Sequence, residues 1–234
     1  MRNIGAVYLK ELRSYFSSSV AYISIALFLI IGGFFFYSIT VVSKSASLEY
    51  SLSNLVIILI FLMPLVSMRL LSEEKKSGTL ELLLTRPIKE IEIVLGKFFA
   101  SATVLLAMIL PTGLYGVILS LVSKPDILPM VTQYLSLYLV GLSFLALGLF
   151  ASSLTENQII AAAISFTFIL IMWLLTWITG SMGPDNIIGY FAISSHFEDL
   201  NKGVVDARDI IFYLSFIVFW IYLTSKVLDT KRWI

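Results

Sequence analysis

The sequence predicts an all-α integral membrane protein with six transmembrane helices, organised as one domain over residues 1–234. Three observations predict it. The chain is 59% hydrophobic and only 13% charged, with mean hydropathy +0.95, whereas soluble domains carry roughly 25% charge. Asp, Glu, Lys and Arg are missing from six long windows, 14–43, 50–68, 98–123, 127–155, 157–184 and 210–225. Threading those windows through a membrane in order collects most basic residues on one side.

A helix needs ~20 residues, with a lower limit of ~17, to cross ~30 Å of hydrocarbon. Five windows reach that length. The sixth falls just short and needs Arg208 and Lys226 to snorkel. A charge at the bilayer centre costs about 2.5–3.5 kcal/mol, so charge-free runs of this length mark spans. They are expected near 20–43, 53–71, 93–122, 128–153, 157–180 and 209–227. An even number puts both termini on one side. With the termini inside, Arg2, Lys10, Arg13, Arg69, Lys75, Lys76, Arg86, Lys89, Lys97, Lys226, Lys231 and Arg232 are cytoplasmic. Only Lys44, Lys124, Lys202 and Arg208 are external, so both termini are predicted to be cytoplasmic.

Residues 1–17 space Ile4, Val7, Tyr8, Leu12, Tyr15 and Phe16 mostly at three- and four-residue steps, with Arg2, Lys10, Glu11 and Arg13 between them. That pattern predicts an amphipathic helix in the cytoplasmic interface. The first apolar run is too long for a signal peptide. Gly32-Gly33 in the first span leaves two readings open, close helix approach or a lipid-facing irregularity. Pro64 in the second span and Pro111 in the third are kink candidates. Small residues recur at Gly96 and Ala100, at Thr112, Gly116 and Ser120, and through the fourth span at Gly141, Ser143, Ala146, Gly148, Ala151, Ser152 and Ser153. Thr155–Gln158 is a tight turn, so the fourth and fifth spans are antiparallel neighbours. Trp173 and Trp177 suit an interfacial belt.

Residues 181–208 form the longest external segment, and its apolar part is expected to dip into the interface or re-enter the membrane. Ser195 stands where an N-cap would, His196–Lys202 spans two turns, and Gly203 is placed to end them in a left-handed conformation. Asp206 is placed to cap the last span, with Asp209 near its positive end. The final residues, 231–234, read as an interfacial anchor.

The densest charge lies at 72–86. Glu73 and Glu74 precede Lys75 and Lys76, which suits a helix dipole and an i,i+3 pairing of Glu73 with Lys76. Leu80, Leu83 and Leu84 share one side and are expected to grip the membrane interface. Thr85-Arg86-Pro87 ends the helix.

Other chemistry is excluded. There is no cysteine, hence no disulfide, thiol nucleophile or cysteine-ligated metal. A net charge of +1 does not point to nucleic acid. No Gly-x-x-x-x-Gly-Lys-Ser/Thr loop exists, so the chain does not bind ATP by that motif. The lone His196 has no zinc-protease or triad context and reads as a packing or surface residue. No ionisable residue is expected inside a span, which disfavours a proton relay.

The run Met68-Arg69-x-x-Ser72-Glu73-Glu74-Lys75-Lys76-Ser77-Gly78-Thr79-Leu80-Glu81-Leu82-Leu83-Leu84-Thr85-x-Pro87 resembles the signature of ABC-2-type transporter permeases. The resemblance is greatest to the branch with gliding-motility and nitrous-oxide-reductase-maturation permeases. It continues through Gly96-Lys97-Phe98, Ser153–Gln158, and His196-Phe197 with Gly203, Asp206, Arg208 and Asp209. It implies a permease subunit of an ATP-driven transporter in a bacterial or archaeal inner membrane, paired with an identical or homologous permease. It also implies a separate cytoplasmic ATPase dimer that binds ATP and Mg, an interfacial helix at 1–17, a coupling helix at 72–86 and external re-entrant helices at 181–208. The coupling residues would be Glu73, Glu74, Lys75, Lys76, Ser77, Gly78, Thr79, Leu80 and Glu81, with the three glutamates as ionic contacts and Gly78 allowing close approach. An external-domain accessory protein is a further expected partner. The alternative is a non-transporting mechanotransducer or scaffold acting on an external partner. The charge-poor, aromatic composition suits a lipid-like or polymeric substrate.

Overall fold

The computed structural model describes residues 2–42, 48–84, 88–122, 126–179, 191–204 and 206–231. The expected apolar dip at 181–190, the turn at Thr85-Arg86-Pro87, the external Lys44 and Lys124 and the anchor residues Arg232–Ile234 lie outside them, as do the side chains of Leu84 and Trp177. The helices are α1 (Arg2–Ser17), α2 (Ser19–Tyr37), α3 (Glu49–Ser67), α4 (Arg69–Lys76), α5 (Thr79–Leu84), α6 (Glu90–Ile109), α7 (Gly113–Val122), α8 (Ile127–Leu154), α9 (Gln158–Thr179), α10 (Ile193–Asn201) and α11 (Ala207–Lys231). Six helical runs among the described residues are long and apolar enough to cross a membrane: Ser19–Thr40, Glu49–Lys76, Glu90–Leu121, Ile127–Leu154, Gln158–Leu175 and Ala207–Thr230.

Helix α8 is the centre of the bundle. Its most apolar stretch is 78% buried, against 17% for that of α9. The small-residue pattern is the cause, because it lets neighbouring backbones approach. A Cβ added at Gly141 would sit 2.6 Å from Leu105 Cδ2, and one at Gly148 would sit 2.7 Å from Ser67 Cβ. Helices α3, α6 and α8 therefore form an inner layer, and α2, α9 and α11 an outer one. Gly32 packs closely too, since a Cβ there would fall 2.8 Å from Leu55 Cδ2.

The amphipathic α1 lies along α6. Gly96 makes the approach possible, as a Cβ there would meet Val7 Cβ at 2.7 Å. Val7 and Tyr15 are buried. The two prolines behave differently. Pro111 sits in a 3-10 turn, Leu110–Thr112, between α6 and α7. Helix α3 runs through Pro64 and is interrupted only at Met68.

The bundle has two distinct ends. One gathers α1, α4, the start of α6 and the end of α8. At the other, α10 packs on α8 and α9. There the Gln133 amide donates to Asn201 O at 2.9 Å, Asn201 donates to Glu49 O and Ser53 Oγ, and Ser194 donates to Trp173 O at 2.8 Å. Helix α10 starts at Ile193, earlier than the Ser195 cap predicts. Ser195 Oγ instead donates to Ala192 O at 2.8 Å.

Candidate functional site

The site is the elbow formed by α4 and α5. Its root is the α3–α4 junction at Met68. Pro64 has no N–H, and Ser67 Oγ turns back to donate to Met63 O at 2.8 Å. At Met68 a hydroxyl from another helix enters the ladder. Ser152 Oγ, on α8, donates to Met68 O at 2.9 Å and accepts from the backbone N–H groups of Leu71 and Ser72, both at 3.0 Å. A serine hydroxyl has one donor and two acceptor sites, so Ser152 is saturated. It occupies the place where Ser72 N–H would meet Met68 O in an unbroken helix. One turn on, the Lys75 ammonium donates to Ser153 O. Two adjacent residues at the end of α8 thus hold α4.

The sequence reading expects one helix over 72–86. The structure breaks it into α4 and α5 at Ser77-Gly78. Gly78 has φ +69°, a left-handed conformation that L side chains adopt only at a cost. A Cβ there would meet nothing of this chain within 4 Å, so within the chain Gly78 serves the turn. Ser77 Oγ donates to Glu73 O at 2.9 Å and lies 2.8 Å from Thr79 Oγ1, which stiffens the turn. The leucine face also differs from expectation. Leu80 is buried in the protein core and Leu83 packs against it. Lys76, Ser77, Gly78, Thr79 and Glu81 form the exposed tip. An open groove lined by Lys76, Glu156, Asn157, Gln158 and Ile159 separates that tip from the α8–α9 turn.

The glutamates do not act alike. Glu73 pairs with Arg69 rather than Lys76, through two bonds of 2.8 and 3.0 Å. Glu74 turns inward. Its carboxylate lies 2.6 Å from Lys10 Nζ and 2.9 Å from Lys97 Nζ, and Lys97 also reaches Glu11 at 3.0 Å. The Lys97 side chain is 1% exposed. Two lysines and two glutamates from α1, α4 and α6 thus form a neutral cluster, buried except for the half-exposed Lys10. Breaking such a cluster by removing one partner costs about 3–5 kcal/mol, because an uncompensated charge stays behind. This overturns the expectation that no ionisable residue lies inside a span, since Lys97 is fully buried within the run Glu90–Leu121. Its charge is tolerated because α1 and α4 bring two carboxylates to it.

Burial opposes the Lys10 ammonium, but the hydrogen bond and charge of Glu74 outweigh it, raising the Lys10 pKa above its ordinary 10.5. Beside the cluster, Tyr15 donates to Val66 O at 2.8 Å, and burial pushes its hydroxyl far above the usual tyrosine range, so it remains a donor.

Sequence reasoning missed Lys97, Glu11, Ser152 and Ser153 as members of this site. Lys97 counted as a cytoplasmic charge, the serines as packing residues, and Lys97 and Ser153 otherwise only as letters of the resemblance. One signal was present, an isolated lysine a turn or so inside a span and an isolated acid on a basic amphipathic helix.

At the opposite end two of the predicted residues meet, His196 and Asp209. His196 Nδ1 lies 2.6 Å from Asp209 Oδ1, and its ring stacks on Phe212 at 4.0 Å. Asp209 therefore faces α10 as well as heading α11. Asp206 accepts from Arg208 N–H at 2.9 Å, as a cap does. Phe197 is buried against Trp173 at 5.9 Å. Gly203 has φ +86° and packs on Pro129, where a Cβ added to the glycine would fall 3.1 Å from Pro129 Cβ. Arg208 is exposed. Among the described residues no three His, Asp or Glu side chains gather as metal ligands.

Six apolar helices, an inner layer built on small residues and a charged elbow at one end are those of a multi-pass membrane protein. The sequence profile of the ABC-2 family transporter proteins matches residues 5–233, and the chain belongs to that family. No curated protein matches the chain.

Proposed function

We propose that the chain is the membrane subunit of an ATP-driven transporter of the inner membrane, moved by a separate cytoplasmic ATPase dimer that docks on the elbow. The observation that carries this reading is the contrast within 69–84. Its root is fastened by Ser152, Lys75 and the charge cluster, whereas Lys76–Thr79 and Glu81 are exposed among the described residues. A segment held rigidly at its base and open at its tip suits the receipt of force from outside. ATP and Mg belong to the partner. Each permease pairs with a second, identical or homologous one, and closure of the ATPase dimer rocks the two against each other as rigid bodies. On this reading α1 lies in the cytoplasmic interface, the termini are cytoplasmic, and α10 with 181–190 lies on the external side.

Lys76→Glu with Glu81→Arg tests the docking. The expected result is a permease that remains monodisperse but no longer retains the ATPase that co-purifies with the unmodified chain. Retention of a fully active ATPase by the double variant would remove the elbow from the interface.

A further inference from the structure

We infer that Ser152 is a positioning residue that routes motion of the α4–α5 elbow into α8 rather than along the second span. This rests on the docking role proposed for the elbow. The first ground is continuity. Span two is not one rigid rod, because its hydrogen-bond ladder is interrupted at Met68, where helix α3 ends and α4 begins. A push on α4 meets a joint at that point. The second is what fills the joint. Two hydroxyls fill the joint at Met68 O: that of Ser72, within α4, donates to it, and that of Ser152, from α8, donates its proton there while using both acceptor sites on Leu71 N–H and Ser72 N–H. Ser152 is fully buried, so no water competes for these groups.

The third ground is reinforcement. The Lys75 ammonium grips Ser153 O, the next residue of α8. Leu70 and Leu71 are buried where α4 packs on α8. The fourth is destination. Helix α8 packs against α3, α6, α9, α10 and α11. Motion delivered to its end reaches both the inner layer and α10 at the far end of the bundle. Without the Ser152 hydroxyl, Ser72 N–H is free to return to Met68 O. The elbow then continues span two and loses its clip to α8.

The chain has no cysteine, so spin labels go only where they are introduced. Glu81→Cys on α5 replaces an exposed residue, and Asp229→Cys on α11 replaces a side chain that is 44% exposed. The pair is read by electron–electron double resonance on the full chain in lipid nanodiscs, with and without Ser152→Ala. A shifted or markedly broadened distance distribution in the Ala variant is expected. In parallel, ATP turnover of the co-purifying ATPase is compared between the unmodified chain, Ser152→Ala and Ser143→Ala. Ser143 is an equally buried hydroxyl on the same helix that, among the described residues, bonds only within α8, to Leu139 O at 3.0 Å.

The expected result is retained ATPase binding in both variants, with permease-dependent stimulation falling about tenfold in Ser152→Ala and unchanged in Ser143→Ala. Unchanged distances together with unchanged stimulation would overturn the inference. Equal losses in Ser152→Ala and Ser143→Ala would also overturn it, because burial of any hydroxyl would then suffice. If the unmodified chain neither binds nor stimulates an ATPase, the docking proposal fails, and the distance measurement still decides whether Ser152 sets the elbow. Should Ser152→Ala not fold, Ser152→Cys, near-isosteric but a poor acceptor for two amides, replaces it in the turnover comparison.

Discussion

Lys97 shows how a single buried charge organises its surroundings. Replacing it with Met leaves Glu11 and Glu74 facing each other with only the half-exposed Lys10 to compensate. The expected loss is about 3 kcal/mol, the low end for a broken buried pair. Denaturant unfolding in detergent reads it, and adding Glu74→Gln should return part of the loss because the two changes share one cluster. An unaltered midpoint in Lys97→Met would mean the cluster contributes nothing. The Lys10 contact makes a pH-dependent contribution. Its folded-state pKa is raised, so the stabilisation is complete below the ordinary lysine value of 10.5 and is lost as pH climbs through the raised one. The unmodified chain and Lys10→Met should therefore differ in midpoint at neutral pH and converge in the alkaline range. A constant gap up to the alkaline limit of folding would argue against this pairing.

At the level of elements, the two left-handed glycines make a matched comparison. Gly78 ends α4 in open space, and Gly203 follows α10 against Pro129. Alanine at Gly78 meets only backbone strain, about 1–2 kcal/mol. Alanine at Gly203 adds a contact tighter than normal packing, so its thermal midpoint should fall further. Equal shifts would mean that Pro129 yields freely. Gly78→Asn should be nearly silent, since asparagine tolerates the left-handed region. The elbow also explains why one helix becomes two. The acids, lysines and leucines of 72–84 all favour helix, but Gly78 next to a hydroxyl-bonded Ser77 supplies a stop that propensity alone underweights.

At the level of the whole molecule, the inner and outer layers should respond oppositely to similar changes. Gly148→Leu forces α8 away from Ser67 on α3, and Ser165 on α9 stands in the same contact. Size-exclusion chromatography should show loss of the monodisperse peak. Leu214→Ala, on the exposed face of α11, should leave that peak in place. The reverse pattern would displace α8 from the centre of the bundle.

The spans, the elbow's position and the caps at Gly203 and Asp206 were legible in the sequence, each for a local reason. A bilayer reads hydropathy over some twenty neighbouring residues, and a left-handed stop or an acidic cap acts within a turn. The site itself was only half legible. Glu74 looked like an outward ionic contact because helical spacing does not say which side meets a neighbour. Lys97 looked like an anchor because its partners lie on α1 and α4, far away in the chain. Ser152 looked like packing because its work is done on the backbone of another helix. The sequence alone therefore determined which segments cross and where charge collects, since those follow from the chemistry of contiguous residues. Only the tertiary structure decided which charge is buried, where span two is jointed and which helix grips the joint, since those depend on side chains that meet only after the helices have packed.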